Sequence, residues 1–385
     1  MLSVSPQLSD SVMAAAMAIE TPALVYDLET LDQAVEDFRT DLLPVTDATL
    51  CFAVKANRAP DVLARLAAQG VGGDVATLAE LHAARAASLS PIFATSPAFT
   101  EIEWRELKQA GILPDLDSRS QVARWARHPD LGRRIGLRIR LRLPDDRYDV
   151  SPFGRWSRFG VDADDPQLHQ LLREHDLEVV QLHAHAGEVG SLEQADRLME
   201  TMLTCLELFP RVETLNLGGG FAPLYHKHAA GSKAWYQIGA AIKNWAALNG
   251  RRPTVVVEPG WLLAAQTGFL VTTVRASEPH PSGHRLVVTD ASAWNLLAWN
   301  RPTLVGILPE RQGAKSPTDL AGATCYEDDY FLRGEVLPEL QVGDRLVLGG
   351  MGAYVASTVR ATHGLEKPSE WAVDGDRCVP IAPYR

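Results

Sequence analysis

From residue 50 to residue 258 the chain alternates short apolar runs of strand length with helical patterns, and this alternation limits the possible folds more than any other feature. The strand-like runs lie near 50–54, 72–76, 91–95, 112–116, 135–143, 177–184, 212–217 and 254–258. Between them, Thr77 stands ahead of Leu78, Leu81, His82 and Leu89 on one helical face, and Ser191-Leu-Glu-Gln194 has capping-box spacing before Leu198, Met199, Met202 and Leu206. Ser232 precedes Trp235, Ile238, Ala241, Ile242 and Trp245, and Gly250 stands where a glycine ends such a helix. Eight strands with intervening helices predict an α/β chain built on a (β/α)8 barrel.

The flanks read differently. Ala23–Tyr26 predicts a short strand, and Asp27-Leu-Glu-Thr30 opens a helix in which Leu31, Ala34, Val35 and Phe38 share a face. After Gly260 the helical periodicity stops, and strand patterns at 264–275, 285–290, 303–308, 344–348 and 372–381 are separated by Gly, Pro and Asp turns. The expected division is a barrel over 28–262, a β-rich domain over 263–385 that 21–27 joins, and a loose start or one short helix over 1–20. One run is unusual for a barrel wall, since Ile135–Leu143 places Arg138, Arg140 and Arg142 on one face; pairing with the acidic surface is their expected use.

Of the 385 residues, 46% are hydrophobic and 22% charged, the balance of a soluble globular protein. A formal net charge of -11 with no Lys/Arg run argues against nucleic-acid and anionic-membrane partners. Cys51, Cys205, Cys325 and Cys378 are scattered without a C-x-x-C pair, which suggests reduced thiols rather than a disulfide framework or zinc site. No basic leader and no long apolar span are apparent, and a cytoplasmic location is expected.

The polar chemistry collects where barrel strands end, the place where catalytic residues of such barrels sit. Lys55 follows the apolar run Leu50–Val54, where desolvation would lower its pKa and free the amine for imine chemistry. Leu217-Gly-Gly-Gly-Phe221 and Glu258-Pro-Gly260 follow the seventh and eighth runs, and glycines there let backbone amides close on an anion such as a phosphate. The sixth run ends in His183-Ala-His185-Ala-Gly187; the two histidines suit a ring stacked on a flat cofactor better than a metal, for which no third ligand is near. Glu258, costly to bury alone, requires a cation, and a protonated ring nitrogen would serve. Lysine, phosphate loops, flat ring and carboxylate are together the contacts of pyridoxal phosphate.

The chain from Thr21 onwards resembles the alanine-racemase-fold pyridoxal-phosphate decarboxylases, the group of ornithine, diaminopimelate and arginine decarboxylases. Ala53-Val-Lys-Ala-Asn57 is similar to the family's cofactor-lysine motif, and Gly73-Asp74-Val-Ala to the motif that follows it. His183-Ala-His185-Ala-Gly187 resembles the H-x-H-V-G segment, which makes His185 the ring-stacking residue. Gly218-Gly219-Gly220-Phe221 resembles the phosphate loop, and Glu258-Pro259-Gly260 the pyridine-nitrogen carboxylate with its turn. Gly322-Ala-Thr-Cys325 is similar to the motif whose cysteine enters a partner subunit's site, and Gly352-Ala-Tyr354 to the G-A-Y that reaches the phosphate. Arg301-Pro302 resembles the R-P-x-L step, whose arginine often holds a substrate carboxylate.

The resemblance implies a homodimer with shared sites, releasing carbon dioxide from an amino-acid-like substrate, with Cys325 returning a proton to the carbon; no metal is expected, on the histidine reading above. There are departures. Trp261 stands where the family usually has arginine, Glu188 where it tends to have serine, and Tyr326 where an acid often holds the distal amine of basic substrates. Glu327, Asp328 or Asp329 could replace that acid. The pocket thus lacks expected charge at two places, which predicts an unusual or conjugated amino acid of siderophore or antibiotic assembly, with ornithine, lysine or diaminopimelate as the alternative. A non-catalytic, protein-binding relative is the rival from another class, and the retained Lys55, His185, Gly218 loop and Glu258 count against it.

Overall fold

A computed structural model of the chain describes residues 2, 5–141, 156–226 and 230–382. They form two compact units. One is built from Glu36–Val54 and Leu66–Pro259, the other from the stretch ending at Val35, from Lys55–Arg65, and from the chain after Pro259.

Strand β1 (Ala23–Asp27) belongs to the second unit. The first unit is a closed barrel of eight parallel strands: β2 (Thr49–Ala53), β3 (Gly72–Val75), β4 (Ile92–Thr95), β5 (Pro114–Leu116), β6 (Arg134–Arg138), β7 (Glu178–His183), β8 (Thr214–Asn216) and β9 (Thr254–Val257). Pairing of Thr49 with Val256 and of Leu50 with Val257 closes the circle. The strands are short and almost wholly buried, so they read as continuous apolar runs rather than alternating ones. The surrounding helices begin on side-chain caps: the expected Thr77 and Ser191, and also Thr100 and Ser118, each accept from the backbone N–H three residues on. Gly250 ends the helix Gly231–Asn249 in the left-handed conformation, with φ 66°. Phe38, Phe221 and Trp235 pack together outside the strands, Phe38 meeting Trp235 edge-on at 5.7 Å and Phe221 lying 4.6 Å from it.

Several expectations need correction. Strand β6 stops at Arg138, because beyond it Arg140 N bonds Val161 O and the chain leaves the ladder. Arg138 pairs with the buried Asp117 at 3.3 Å rather than with a surface acid, whereas Arg140 reaches Gly160 O at 2.8 Å and pairs with the partly exposed Asp162 at 3.8 Å, as expected; Arg142 lies outside the described residues. His82 is exposed and pairs with Glu106, so it is not on the packed face of its helix. The capping box at Ser191 is half made, since Gln194 Oε1 accepts from Gly190 N instead of from Ser191 N. Ser232 lies inside the helix it was expected to precede, and its hydroxyl contacts Asp41.

The second unit is organised on a nine-stranded sheet among the described residues. It contains β10 (Gly268–Pro279), β11 (Arg285–Thr289), β12 (Thr303–Leu308), β13 (Lys315–Ala321), β14 (Tyr330–Pro338), β15 (Arg345–Gly349), β16 (Ser369–Asp374) and β17 (Arg377–Pro380), with β1 between β10 and β16. Residues 264–267, expected in a strand, are helical. The helix Asp10–Ala18 packs Val12, Ala15 and Ala16 against β1, β10 and β15, so this part of the N-terminal segment is a built element. Among the described residues, no helix is long and apolar enough to cross a membrane.

Candidate active site

Within the barrel, the carboxyl ends of the strands bring polar groups into a buried cluster. Glu258 follows β9 directly and is buried. Its Oε1 accepts from the Asn216 side chain at the end of β8, and its Oε2 lies 3.6 Å from Nε2 of His183, the last residue of β7. On the other side of the imidazole, Nδ1 lies 3.0 Å from Thr95 Oγ1 and 3.6 Å from Asp115 Oδ2. Asp74 in β3 is buried as well. Burial is the main cause that pushes the Asp115 carboxyl up to about 7, against the hydrogen bonds from Gln181 and Thr95. Burial, with Glu258 and Asp74 as further causes, holds the Cys51 thiol well above its ordinary range.

The glycine run after β8 is dictated by close packing. Gly218 and Gly220 adopt φ 64° and 91°, and a Cβ on Gly220 would fall 1.6 Å from the Gly187 carbonyl oxygen. A Cβ on Gly219 would stand 2.6 Å from Glu258 O. Asn216 Oδ1 accepts from Gly218 N at 2.9 Å, and Gly219 N points at His185 Nδ1 at 3.3 Å. The loops after β7, β8 and β9 therefore touch backbone to backbone, which brings His185, Gly218–Gly220 and Glu258 together. His185 is two residues past the end of its strand and half-buried, whereas His183 is buried in the wall, so the pair does not share one strand face. Glu188 is exposed, away from any burial cost for its charge.

The remaining expected residues belong to the second unit. Lys55 sits in a single 3-10 turn, Val54–Ala56, and is exposed, because the strand ends at Ala53 before the lysine. Burial at the strand end was the expected setting of this amine, and the side chain is instead exposed. The turn is clipped to the Gly352-Ala-Tyr354 segment: Tyr354 N donates to Ala56 O at 2.7 Å, and Asn57 Nδ2 to Gly352 O at 2.8 Å. Tyr354 takes φ 55°, a rare conformation for a side-chain-bearing residue, and its ring meets Trp299 edge-on at 5.5 Å. Gly260 begins the short helix Trp261–Ala264, and Trp261 is half-buried. Arg301 and Cys325 are exposed, and Tyr326 lies 4.1 Å from the ring of Trp294. Asp329 is buried and satisfied by its own surroundings, accepting from Trp294 N, Thr324 N and Thr324 Oγ1.

Sequence reasoning passed over Thr95, Asp115, Gln181, Asn216 and Asn57 as participants. Asp115 carried a readable signal: a carboxylate inside a three-residue buried strand raises the same question of compensation as Glu258. Asn216, next to the glycine run at the end of a strand, carried another. The donor set suits pyridoxal phosphate. A buried carboxylate held by an amide, with an imidazole nitrogen 3.6 Å away, fits a protonated ring nitrogen, and the glycine loop has no Cβ to obstruct the approach of a phosphate.

The family model for "Pyridoxal-dependent decarboxylase, pyridoxal binding domain" matches residues 28–265. A diaminopimelate decarboxylase of Helicobacter pylori is 26% identical over 378 residues, covering 92% of this chain and 91% of that one. One from Deinococcus radiodurans is 28% identical over 368 residues, again with 92% and 91% coverage. A crystal structure of a diaminopimelate decarboxylase superposes with a TM-score of 0.86 at 22% identity, over 98% of this chain and 95% of the other, and bears on the fold alone.

Proposed function

The chain belongs to the pyridoxal-dependent decarboxylases and is a carboxy-lyase that works with pyridoxal 5'-phosphate; from that premise we propose which residues do the work and on what substrate. Bound there, the cofactor supplies an electron sink for the pair left behind as carbon dioxide departs. Lys55 holds the cofactor covalently through its amine, and Gly218, Gly219, Gly220 and Gly260 offer backbone to the phosphate, with Tyr354 assisting. His185 packs its flat ring against the cofactor. Glu258 keeps the proton on the ring nitrogen, and Asp74 adds negative charge beside it. Cys325 returns a proton to the substrate carbon, and Arg301 holds a substrate carboxylate. The protein works as a homodimer in the cytoplasm, the location resting on four free cysteines.

The substrate reading rests on one observation: the Asp329 carboxylate is already occupied by three donors, two from Thr324 of its own loop and one from Trp294 N of the helix Ala293–Leu296. Asp328 pairs with Arg333 at 3.3 Å. Beside Cys325 the loop presents Tyr326 over Trp294, with Arg360 4.6 Å from the same ring. With Asp328 and Asp329 occupied, this aromatic and cationic wall leaves only the exposed Glu327 for the ammonium of ornithine or lysine, and burying that ammonium without a carboxylate costs several kcal/mol. It suits an unusual or conjugated amino acid of a biosynthetic pathway whose distal group is acylated or acidic. Diaminopimelate is the second reading, favoured by the relatives at 26% and 28% identity.

Two measurements test this. Borohydride reduction of the purified protein followed by peptide mapping should leave the pyridoxyl group on Lys55, and finding it on another lysine removes the assignment. A panel of free and conjugated amino acids assayed for carbon dioxide should favour the conjugates. Turnover of free ornithine, lysine or diaminopimelate at about 10⁴ M⁻¹s⁻¹ or more overturns the substrate reading.

A further inference from the structure

Asp115 has 1% of its surface exposed, and β6 makes room for it, since a Cβ on Gly136 would stand 2.4 Å from its Oδ1. Gln181 Nε2 donates to that oxygen at 2.8 Å. The other oxygen, Oδ2, lies 2.9 Å from Thr95 Oγ1, and the same hydroxyl is 3.0 Å from His183 Nδ1. From the far side of the ring, Nε2 faces Glu258 Oε2 at 3.6 Å. Three titratable groups are thus linked in a row through one threonine.

A hydroxyl has a single hydrogen to give. With Asp115 ionised, Thr95 donates to the carboxylate and can only accept from the ring, so the neutral imidazole carries its hydrogen on Nδ1 and leaves Nε2 bare towards Glu258. One added proton reverses this wherever it lands. On the ring it goes to Nε2. On Asp115 Oδ2 it is donated to Thr95, whose own hydrogen then turns to Nδ1, and the ring hydrogen resides on Nε2. Both protonated forms present an N–H to Glu258.

We propose that Asp115, Thr95 and His183 form a proton-sharing unit whose one titrating proton decides whether Glu258 faces a ring N–H or a bare ring nitrogen. Asp115 and His183 are positioning residues in this scheme, acting through Glu258. Burial places the Asp115 carboxyl at about 7, so the exchange falls near neutral pH. The charged and titratable groups around it come from every neighbouring strand: Cys51 on β2, Asp74 on β3, Arg138 on β6 with its partner Asp117 after β5, His185 after β7 and Glu258 after β9. Asp74 raises the Asp115 pKa and Arg138 lowers it, both less than burial does. Cys51 stays a thiol and adds no charge.

The consequence for the cofactor rests on Glu258 facing the ring nitrogen as proposed above: a ring N–H steadies the ionised carboxylate, and that donor is withdrawn as pH rises. The proton exchange itself is independent of that role and is read directly. The full-length purified protein, with its histidine rings labelled with 15N and His183 assigned through His183→Gln, is titrated from about pH 5.5 to about pH 8.5. Nε2 of His183 is expected to pass from the protonated to the unprotonated type with a midpoint near 7. Asp115→Asn, whose amide donates to Thr95 at every pH, should hold Nε2 in the protonated type throughout. Thr95→Val should displace the midpoint while Thr95→Ser retains it, which gives a readout even where Asp115→Asn fails to fold. A wild-type Nε2 that keeps one type across the range, an unaltered transition in Asp115→Asn, or equal midpoints in the two Thr95 variants overturns the proposal. Absence of cofactor absorbance from the same preparations would count against the functional reading and leave the proton exchange standing.

Discussion

Asp115 is placed where its charge is expensive. Its carboxyl would ordinarily titrate at 3.8 and is pushed to about 7, chiefly by burial. An acid that binds its proton more tightly when folded stabilises the fold most below its unfolded pKa, and that stability is lost as pH rises through the folded value. The displacement corresponds to a loss on the order of 4 kcal/mol between those limits. Asparagine keeps both contacts, accepting from Gln181 and donating to Thr95, but cannot ionise. Asp115→Asn is therefore expected to unfold at nearly the same urea concentration at pH 5 and pH 8.5, whereas the wild type becomes less stable at the higher pH. Equal pH dependence in the two proteins would show that Asp115 ionises without penalty. The same residue marks the limit of what could be read beforehand. Glu258 stood out because it ends a valine run beside a glycine turn, while Asp115 differs from it only in what lies across the barrel, and a threonine of β4 with a glutamine and a histidine of β7 meet there by tertiary structure alone.

At the level of elements, the barrel strands were legible because each is a short buried run bracketed by polar turns, and burial on both faces removes the ambiguity of alternation. Strands β13 and β14 were not: Lys-Ser-Pro-Thr-Asp-Leu-Ala and Tyr-Phe-Leu-Arg-Gly-Glu-Val-Leu-Pro carry charge, proline and glycine, and their residues are largely half-exposed or exposed, so their pairing with each other leaves little apolar pattern in the sequence. Lys55 illustrates a local limit. The apolar run was read to residue 54, but the ladder ends at Ala53 and a 3-10 turn takes over, so the lysine leaves the strand's environment. The N-terminal helix is held by a partner distant in sequence: Arg345 of β15 donates to Ala16 O at 2.6 Å and Ile19 O at 2.7 Å, satisfying carbonyls at its C-terminal end. Arg345→Ala should remove about 1–2 kcal/mol of this anchoring. Limited proteolysis is expected to cut the first twenty residues several-fold faster in the variant, and an unchanged rate would mean that the packing of Val12, Ala15 and Ala16 suffices.

For the molecule as a whole, the second unit leaves large and reactive side chains in solvent: Trp299 is 73% exposed, Tyr326 is 43% exposed, and Cys325 and Arg301 are exposed as well. Tryptophan, tyrosine and arginine are the residues that carry most of the energy in protein interfaces, where burying their surface contributes about 25 cal/mol per Å². This composition, with the proposed role of Cys325, motivates the homodimer in which each Cys325 serves the site of the partner subunit. A shared site has an arithmetic signature. Lys55→Ala removes the covalent hold on the cofactor and Cys325→Ala the proton return, so each homodimer should be inactive. When equal amounts are unfolded and refolded together, random pairing makes about half of the dimers mixed. A mixed dimer then carries both changes in one site and neither in the other, so the mixture should recover about a quarter of wild-type activity. Cofactor bound per dimer should also fall to about one in the mixed species, a readout independent of turnover. Mixed dimers verified by mass tags that recover no activity, when each variant alone has none, would show that Lys55 and Cys325 do not divide between subunits.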